Sequence, residues 1–202
     1  MSTLVKIALV LTVALLAASP AGAVTEPKTG TEYPDTLGVE VDGETILLTA
    51  TGAGLREKTF LKVDVYSIVS YLDCEVEPGD DAARTVLTSD APKRIQMDLR
   101  RSFGRDKLVD TFRDVIGKNY DDTSAFADDL QTFLAYFDRD AQEGDRLVFD
   151  YHPGRGLTTI LNGEVKGVID NPEFAQALWT VWFGEKPADK GLRRDLTAQF
   201  AR

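Results

Sequence analysis

Gly52–Leu72 reads GAGLREKTFLKVDVYSIVSYL, and the rest of the chain is organised around this stretch. From about Thr59 to Leu72 it is rich in Val, Tyr and Ile, the composition of a long strand made for a core. By the strand's period of two, Tyr66 shares a face with Asp64, Ile68 and Ser70, and Tyr71 shares the other with Val63, Val65 and Val69. Arg56 leads into this strand, behind Gly52 and Gly54, which permit backbone shapes that other residues resist. Two readings of Arg56 are open. A loop arginine lays its stem on the surface and keeps its head in water. An anion clamp at the mouth of a cleft uses the planar guanidinium fork, which matches a carboxylate. Tyr66 divides the same way, between packing and a hydroxyl offered to a ligand oxygen.

Working outward, Val39–Val41 and Glu44–Ala50 flank Asp42-Gly43 and read as a hairpin with a tight turn. Asp80–Thr88 reads as a short helix on an acidic start, ended near Pro92. Lys93–Arg101 alternates, with Ile95, Met97 and Leu99 on one side, and is a half-buried strand. Two amphipathic helices are expected next. Arg105–Asn119 carries Leu108, Phe112, Val115 and Ile116, and Ser124–Phe137 carries Phe126, Leu130, Phe133, Leu134 and Phe137. A meander follows over Arg146–Tyr151, Thr158–Leu161 and Glu164–Ile169, with Asn162-Gly163 as a hairpin turn. Pro172 opens a helix that Gly184 ends. A last helix is expected from about Pro187 to Phe200. The order of strands, helices, strands and helices predicts an α+β fold, a mainly antiparallel sheet with helices on one face.

The N-terminus is set apart. After a single lysine in MSTLVK, the uncharged apolar run Ile7–Ala18 precedes Ala21-Gly22-Ala23. This predicts a signal peptide over residues 1–23, cleaved near Ala23, and a periplasmic or secreted mature protein. The run is about 12 residues where a spanning helix needs roughly 20, so no membrane span is expected in the mature chain. Residues 24–36, polar and proline-bearing, read as a flexible lead-in, and residues 37–202 as one domain.

With 33 acidic against 23 basic residues, the formal net charge is −10, which argues against a nucleic-acid partner or an anionic membrane surface. Cys74 is the only cysteine, so no internal disulfide forms, and its acidic surroundings disfavour a thiolate. His152, the only histidine, lies in a turn-like HPGRG without a nucleophile for a triad. No zinc-ligand spacing is present, and the paired aspartates at 80/81, 121/122 and 138/140 lack the calcium-loop pattern, so neither a metal nor a cofactor is expected. Arg94, Arg100, Arg101 and Arg105 read as a solvated strand edge among acidic neighbours.

Four pieces in order carry a resemblance: GAGLREKTFLKVDVYSIVSYL from Gly52, SDAPKRIQMDLRRSFGRDKL from Ser89, GDRLVFDYHPGRGLTTILNGEVKGVID from Gly144, and PEFAQALWTVWFGEKPADKGLRRDL from Pro172. Together they resemble the chalcone isomerase-like family, in its bacterial, exported branch. The resemblance implies an open-faced β-sandwich, a large antiparallel sheet covered on one face by helices, with a ligand cleft between them. It also implies a choice of roles, since plant members close chalcones to flavanones, others bind fatty acids, and others are non-catalytic partners. Arg56 matches the family arginine, which meets a phenolate in the enzymes and a carboxylate in the fatty-acid binders. Tyr66 matches a strand position that is threonine in the enzymes and tyrosine in the lipid binders.

The tyrosine and asparagine that the enzymes use fall on Phe103–Arg113, FGRDKLVDTFR, which contains neither. The late Thr/Ser of the enzyme pocket falls near Glu164–Lys166 and is missing too. Without those hydroxyls an arginine binds but does not orient and stabilise a cyclisation. The expectation is therefore a non-catalytic protein holding a small apolar carboxylate, such as a fatty acid, at Arg56 and Tyr66, with no catalytic residues. An isomerase of the intramolecular-lyase type, and an accessory protein whose cleft is filled by Phe112, Phe126, Phe133, Phe174 and Trp182, are the alternatives.

Overall fold

In a computed structural model the described residues are 22–41, 43–58 and 63–200. The expected signal-peptide run Ile7–Ala18, Asp42 of the hairpin turn and Thr59–Lys62 lie outside them. Seven strands form one antiparallel sheet: β3 (Thr36–Val41), β4 (Glu44–Lys58), β5 (Val63–Asp73), β6 (Lys93–Leu99), β7 (Arg146–His152), β8 (Gly156–Leu161) and β9 (Glu164–Ile169). Their spatial order is their sequence order, so each strand pairs with the next. The helices are inserted into this meander and appended to it. α1 (Ala82–Thr88) joins β5 to β6, and α2 (Arg105–Asn119), a short 3-10 turn (Ser124–Phe126) and α3 (Ala127–Ala135) join β6 to β7. α4 (Pro172–Phe183) and α5 (Lys190–Asp195) follow β9. This is the α+β architecture expected, a curled sheet with its helices packed on one side.

Helices α1 and α4 start where side chains replace missing backbone acceptors. Asp81 accepts from Arg84 N at 3.0 Å, and Asn171 from Glu173 N and Phe174 N, with Pro172 in the first turn. Their apolar stripes meet the sheet face carried by Ile68, Ile95, Met97, Leu99 and Phe149. Phe112 of α2 is the hub of that layer. Its ring lies 5.2 Å from Phe133 and 5.5 Å from Phe137 beyond the next helix, 5.9 Å from Phe149 on the sheet and 6.4 Å from Trp182 on α4. Edge-on and stacked aromatic contacts of this kind add about 0.5–1.5 kcal/mol each beyond the area they bury. Trp179 and Trp182 share the buried side of α4, so neither marks an exposed interface.

Residues 24–36, read as a lead-in, contribute strands. β1 (Ala23–Thr25) and β2 (Glu32–Pro34) form a small antiparallel sheet of their own. Val24 and Tyr33 pack with Leu48, Ala50, Val69 and Tyr71 in a second cluster, on the face of the sheet away from the helices. Tyr71 seals it by donating to Pro34 O at 3.0 Å.

Two expectations about the ends of elements change. Arg56 does not precede a strand in a loop; it lies inside β4, which continues through Gly52 and Gly54 to Lys58. Those glycines serve close approach. A Cβ on Gly52 would stand 2.2 Å from Asp195 O, and one on Gly54 2.6 Å from Leu192 Cδ1. The last helix is also shorter than Pro187–Phe200. Thr51 sits at a register shift in the β4–β5 ladder, and its carbonyl accepts Gln199 N at 2.9 Å and Phe200 N at 3.1 Å. Gln199 N is thereby committed to the sheet, and Phe200 N is shared with Thr197 O at 3.2 Å in a turn rather than continuing an α-helix. Thr51 Oγ1 adds a 2.7 Å bond to Leu196 O. Glycine and threonine together thus clamp α5 onto β4.

Candidate functional site: a cleft between sheet and helices

Arg56 and Tyr66 are directly opposite each other across β4 and β5, and residues so paired in an antiparallel ladder project on the same side. That side is the helix side. The Tyr66 hydroxyl is buried and accepts a hydrogen bond from Trp182 Nε1 of α4 at 3.3 Å. Burial pushes its pKa upward, helped by the charge of Asp189 and opposed by the Trp182 bond and by Arg56, so the group stays a protonated phenol.

Arg56 is half-buried. Its Nη1 donates to Asp189 Oδ2 at 2.7 Å and to Glu57 O at 3.0 Å. Asp189 is at the same time the N-cap of α5, its Oδ1 accepting from Gly191 N at 2.7 Å and Leu192 N at 3.0 Å. The clamping of α5 onto β4 is what carries this carboxylate to Arg56. Arg56 therefore already has an acid partner within its own chain.

The cleft is nevertheless open. A cavity of about 640 Å³ begins beside Arg56 and Tyr66 and runs between β5, β6, α2 and α4. Its inner wall is apolar, made by Val65, Met97, Leu108, Phe112, Val181 and Trp182. The remaining aromatic rings, Phe126, Phe133 and Phe174, pack against one another behind Phe112 and do not line the cavity. The aromatic layer therefore builds the wall and leaves the space in front of Phe112 and Trp182 unfilled.

The mouth is cationic. Arg56 and Lys58 from β4, Arg101 after β6, Lys107 and Lys118 from α2, and Lys186 after α4 all line the cavity, against one lining carboxylate, Asp114. The helical period places Lys107, Thr111, Asp114 and Lys118 on one stripe of α2, next to the inward stripe of Leu108, Phe112 and Val115. Arg101 is the cation the sequence reading set aside as a solvated edge. The other three of that group disperse: Arg94 pairs with Asp150, Arg100 bonds Ser67 Oγ and Thr31, and Arg105 bonds Phe137 O at 2.5 Å. Asp189 and the lysines were not singled out from sequence. The signal available for the lysines was the i, i+4, i+7, i+11 spacing along α2.

The segment FGRDKLVDTFR does border the cleft, through Phe103, Lys107, Leu108, Thr111 and Phe112. The Thr111 hydroxyl donates back to Lys107 O at 2.7 Å. Glu164–Lys166, by contrast, is on edge strand β9 and does not line the cavity; α4 forms that wall instead. His152 is buried at the β7–β8 turn, and Cys74 is exposed. Among the described residues no group of three metal-ligating side chains converges, and no helix is long and apolar enough to cross a membrane.

A family model described as "Chalcone isomerase-like" matches residues 27–197. Among solved structures, the crystal structure of an Arabidopsis thaliana fatty-acid binding protein superposes with a TM-score of 0.70 at 20% identity, covering 89% of this chain and 98% of that one. At that identity the likeness establishes the fold. No curated protein sequence gives a significant match.

Proposed function

We propose that this chain, which belongs to the chalcone isomerase-like family, is a non-catalytic binder of a small apolar acid such as a fatty acid. The observation that carries the reading is the open apolar cleft with Arg56 and Tyr66 at its polar end and a cationic mouth on an acidic protein. Ligand cavities generally run from about 300 to 1,000 Å³, with apolar walls and a few placed polar groups. The acid head lies by Arg56, and the Tyr66 phenol, which accepts from Trp182, turns its own proton toward a ligand oxygen. The name of the Arabidopsis neighbour is in keeping with this role. Phe103–Arg113 lacks the tyrosine and asparagine that the resemblance assigns to the enzymes, which favours binding over isomerisation.

Titration with palmitic acid, read by the fluorescence of Trp182 in the cleft wall, tests the reading. A saturable change weakened in Arg56→Ala is expected, and a flat titration of folded protein contradicts it. The same reading has the chain exported, as a member of a bacterial exported branch, on the strength of Ile7–Ala18 and Ala21-Gly22-Ala23. Recovery from the envelope with Val24 as first residue is the expected outcome.

A further inference from the structure

The charge around the mouth exceeds what one carboxylate needs. Six cations line the cavity, Arg56, Lys58, Arg101, Lys107, Lys118 and Lys186, with Asp114 as the only acid among its lining residues. Arg56 is already paired to Asp189. The other five make no ion pair among the described residues, although acidic residues outnumber basic ones by 33 to 23 over the chain. They also come from every side of the opening. Lys58 and Arg101 stand at strand ends, Lys107 and Lys118 in the first and last turns of α2, and Lys186 on the connection to α5. A monoanionic head meeting Arg56 alone would leave most of this ring unused. A phosphate, with more than one negative charge and several acceptor oxygens, uses lysines as point charges and arginine as a fork.

Resting on the binding role proposed above, we infer that the preferred ligand is a single-chain amphiphile with a phosphate head. Its chain lies against Phe112, Val181 and Trp182, and its head lies at the ring of Lys58, Arg101, Lys107, Lys118 and Lys186. Arg56, shared with Asp189, meets an acid head of either kind, and the ring sets the choice between carboxylate and phosphate.

The test compares dodecyl phosphate, lysophosphatidic acid, lauric acid and inorganic phosphate by fluorescence titration and by calorimetry, at low and moderate salt. Dodecyl phosphate is expected to bind about tenfold more tightly than lauric acid, a difference of about 1.4 kcal/mol, with the steeper salt dependence. In the double variant Lys107→Gln/Lys118→Gln that preference is lost, dodecyl phosphate weakening about tenfold more than lauric acid. These lysines are exposed, so the variant is expected to fold.

Equal affinity for the two head groups overturns the phosphate inference and leaves the apolar-acid reading standing. Binding of neither amphiphile overturns both. Inorganic phosphate binding as tightly as dodecyl phosphate overturns the inference by assigning the ring to a free anion. Adhesion to phosphatidylglycerol vesicles without head-group preference in solution overturns it by assigning the ring to a membrane surface.

Discussion

Arg56 Nη1 lies 2.7 Å from Asp189 Oδ2, so the guanidinium at the polar end of the cleft is already bound to a carboxylate of its own chain. The two residues are brought together by packing that the sequence shows only as glycines. Gly52 and Gly54 let α5 lie against β4, and Asp189 caps α5. Both partners remain partly exposed, and ion pairs of that kind contribute about 1 kcal/mol or less. An acid entering the cleft therefore competes with Asp189 on nearly even terms, and the neighbouring cations tilt the outcome.

Asp189→Asn separates the two roles of this residue. Asparagine caps a helix as well as aspartate, so α5 keeps its start, while the competing charge is gone. Affinity for palmitic acid is expected to rise about fivefold, the equivalent of roughly 1 kcal/mol, with little change in thermal stability. Weaker binding in a normally folded variant would show that Asp189 orients Arg56 for the ligand instead of competing with it.

Gly52→Ala tests the clamp. Its Cβ would fall 2.2 Å from Asp195 O, a backbone atom, so α5 must move. A cost of about 2–4 kcal/mol is expected from overpacking of this kind, measured by urea unfolding. A neutral substitution would mean that α5 is not held against β4.

Tyr66→Phe removes the acceptor of the buried Trp182 indole N–H. Leaving that donor unpaired costs about 1–3 kcal/mol. The ring volume is nearly kept, so ligand affinity falls less than it does in Arg56→Ala. Denaturant unfolding and palmitic acid titration of the same variant check the two halves.

Lys93 gives a pH signature. It is buried, its Nζ donates to Val86 O, Leu87 O and Ser89 O at the end of α1, and it faces the rings of Tyr151 and Trp179. Burial lowers its pKa from 10.5 to about 8. Between those values the unfolded chain holds a proton that the folded chain has released, so this residue makes stability rise with pH there. The stability of wild type minus that of Lys93→Met is expected to grow from pH 8 to pH 10.5. Lys93→Met is also expected to be less stable by about 2–4 kcal/mol at neutral pH, because three carbonyls lose their donor. A difference that is flat across the window would mean the amine keeps its ordinary pKa.

Much of the fold could be read from periodicity. Ile95, Met97 and Leu99 alternate into the core, and α2 begins and ends at Arg105 and Asn119 as its stripe and flanks require. What misled were positions decided by long-range contacts. Nothing local shows that Thr51 holds Gln199 and Phe200, so local pattern alone extends the last helix beyond its true end. Polar composition hid the β1–β2 hairpin, whose two core residues, Val24 and Tyr33, are too few to produce a pattern. At the site, the family resemblance pointed to Arg56 and Tyr66, and the structure puts them face to face. Asp189 escaped notice because a capping aspartate looks the same whether or not an arginine waits beside it. The lysines escaped because surface cations are ordinary until a cleft gives them a common direction.

The most direct test is chemical identification of what the protein carries. The protein is isolated from its own compartment without detergent and extracted with organic solvent, and the extract of wild type is compared by mass spectrometry with that of Arg56→Ala. An apolar acid near one per chain is expected in the wild type, with a clear loss in the variant. A folded, stable wild type that carries no amphiphile and takes none up on incubation would contradict the binding role.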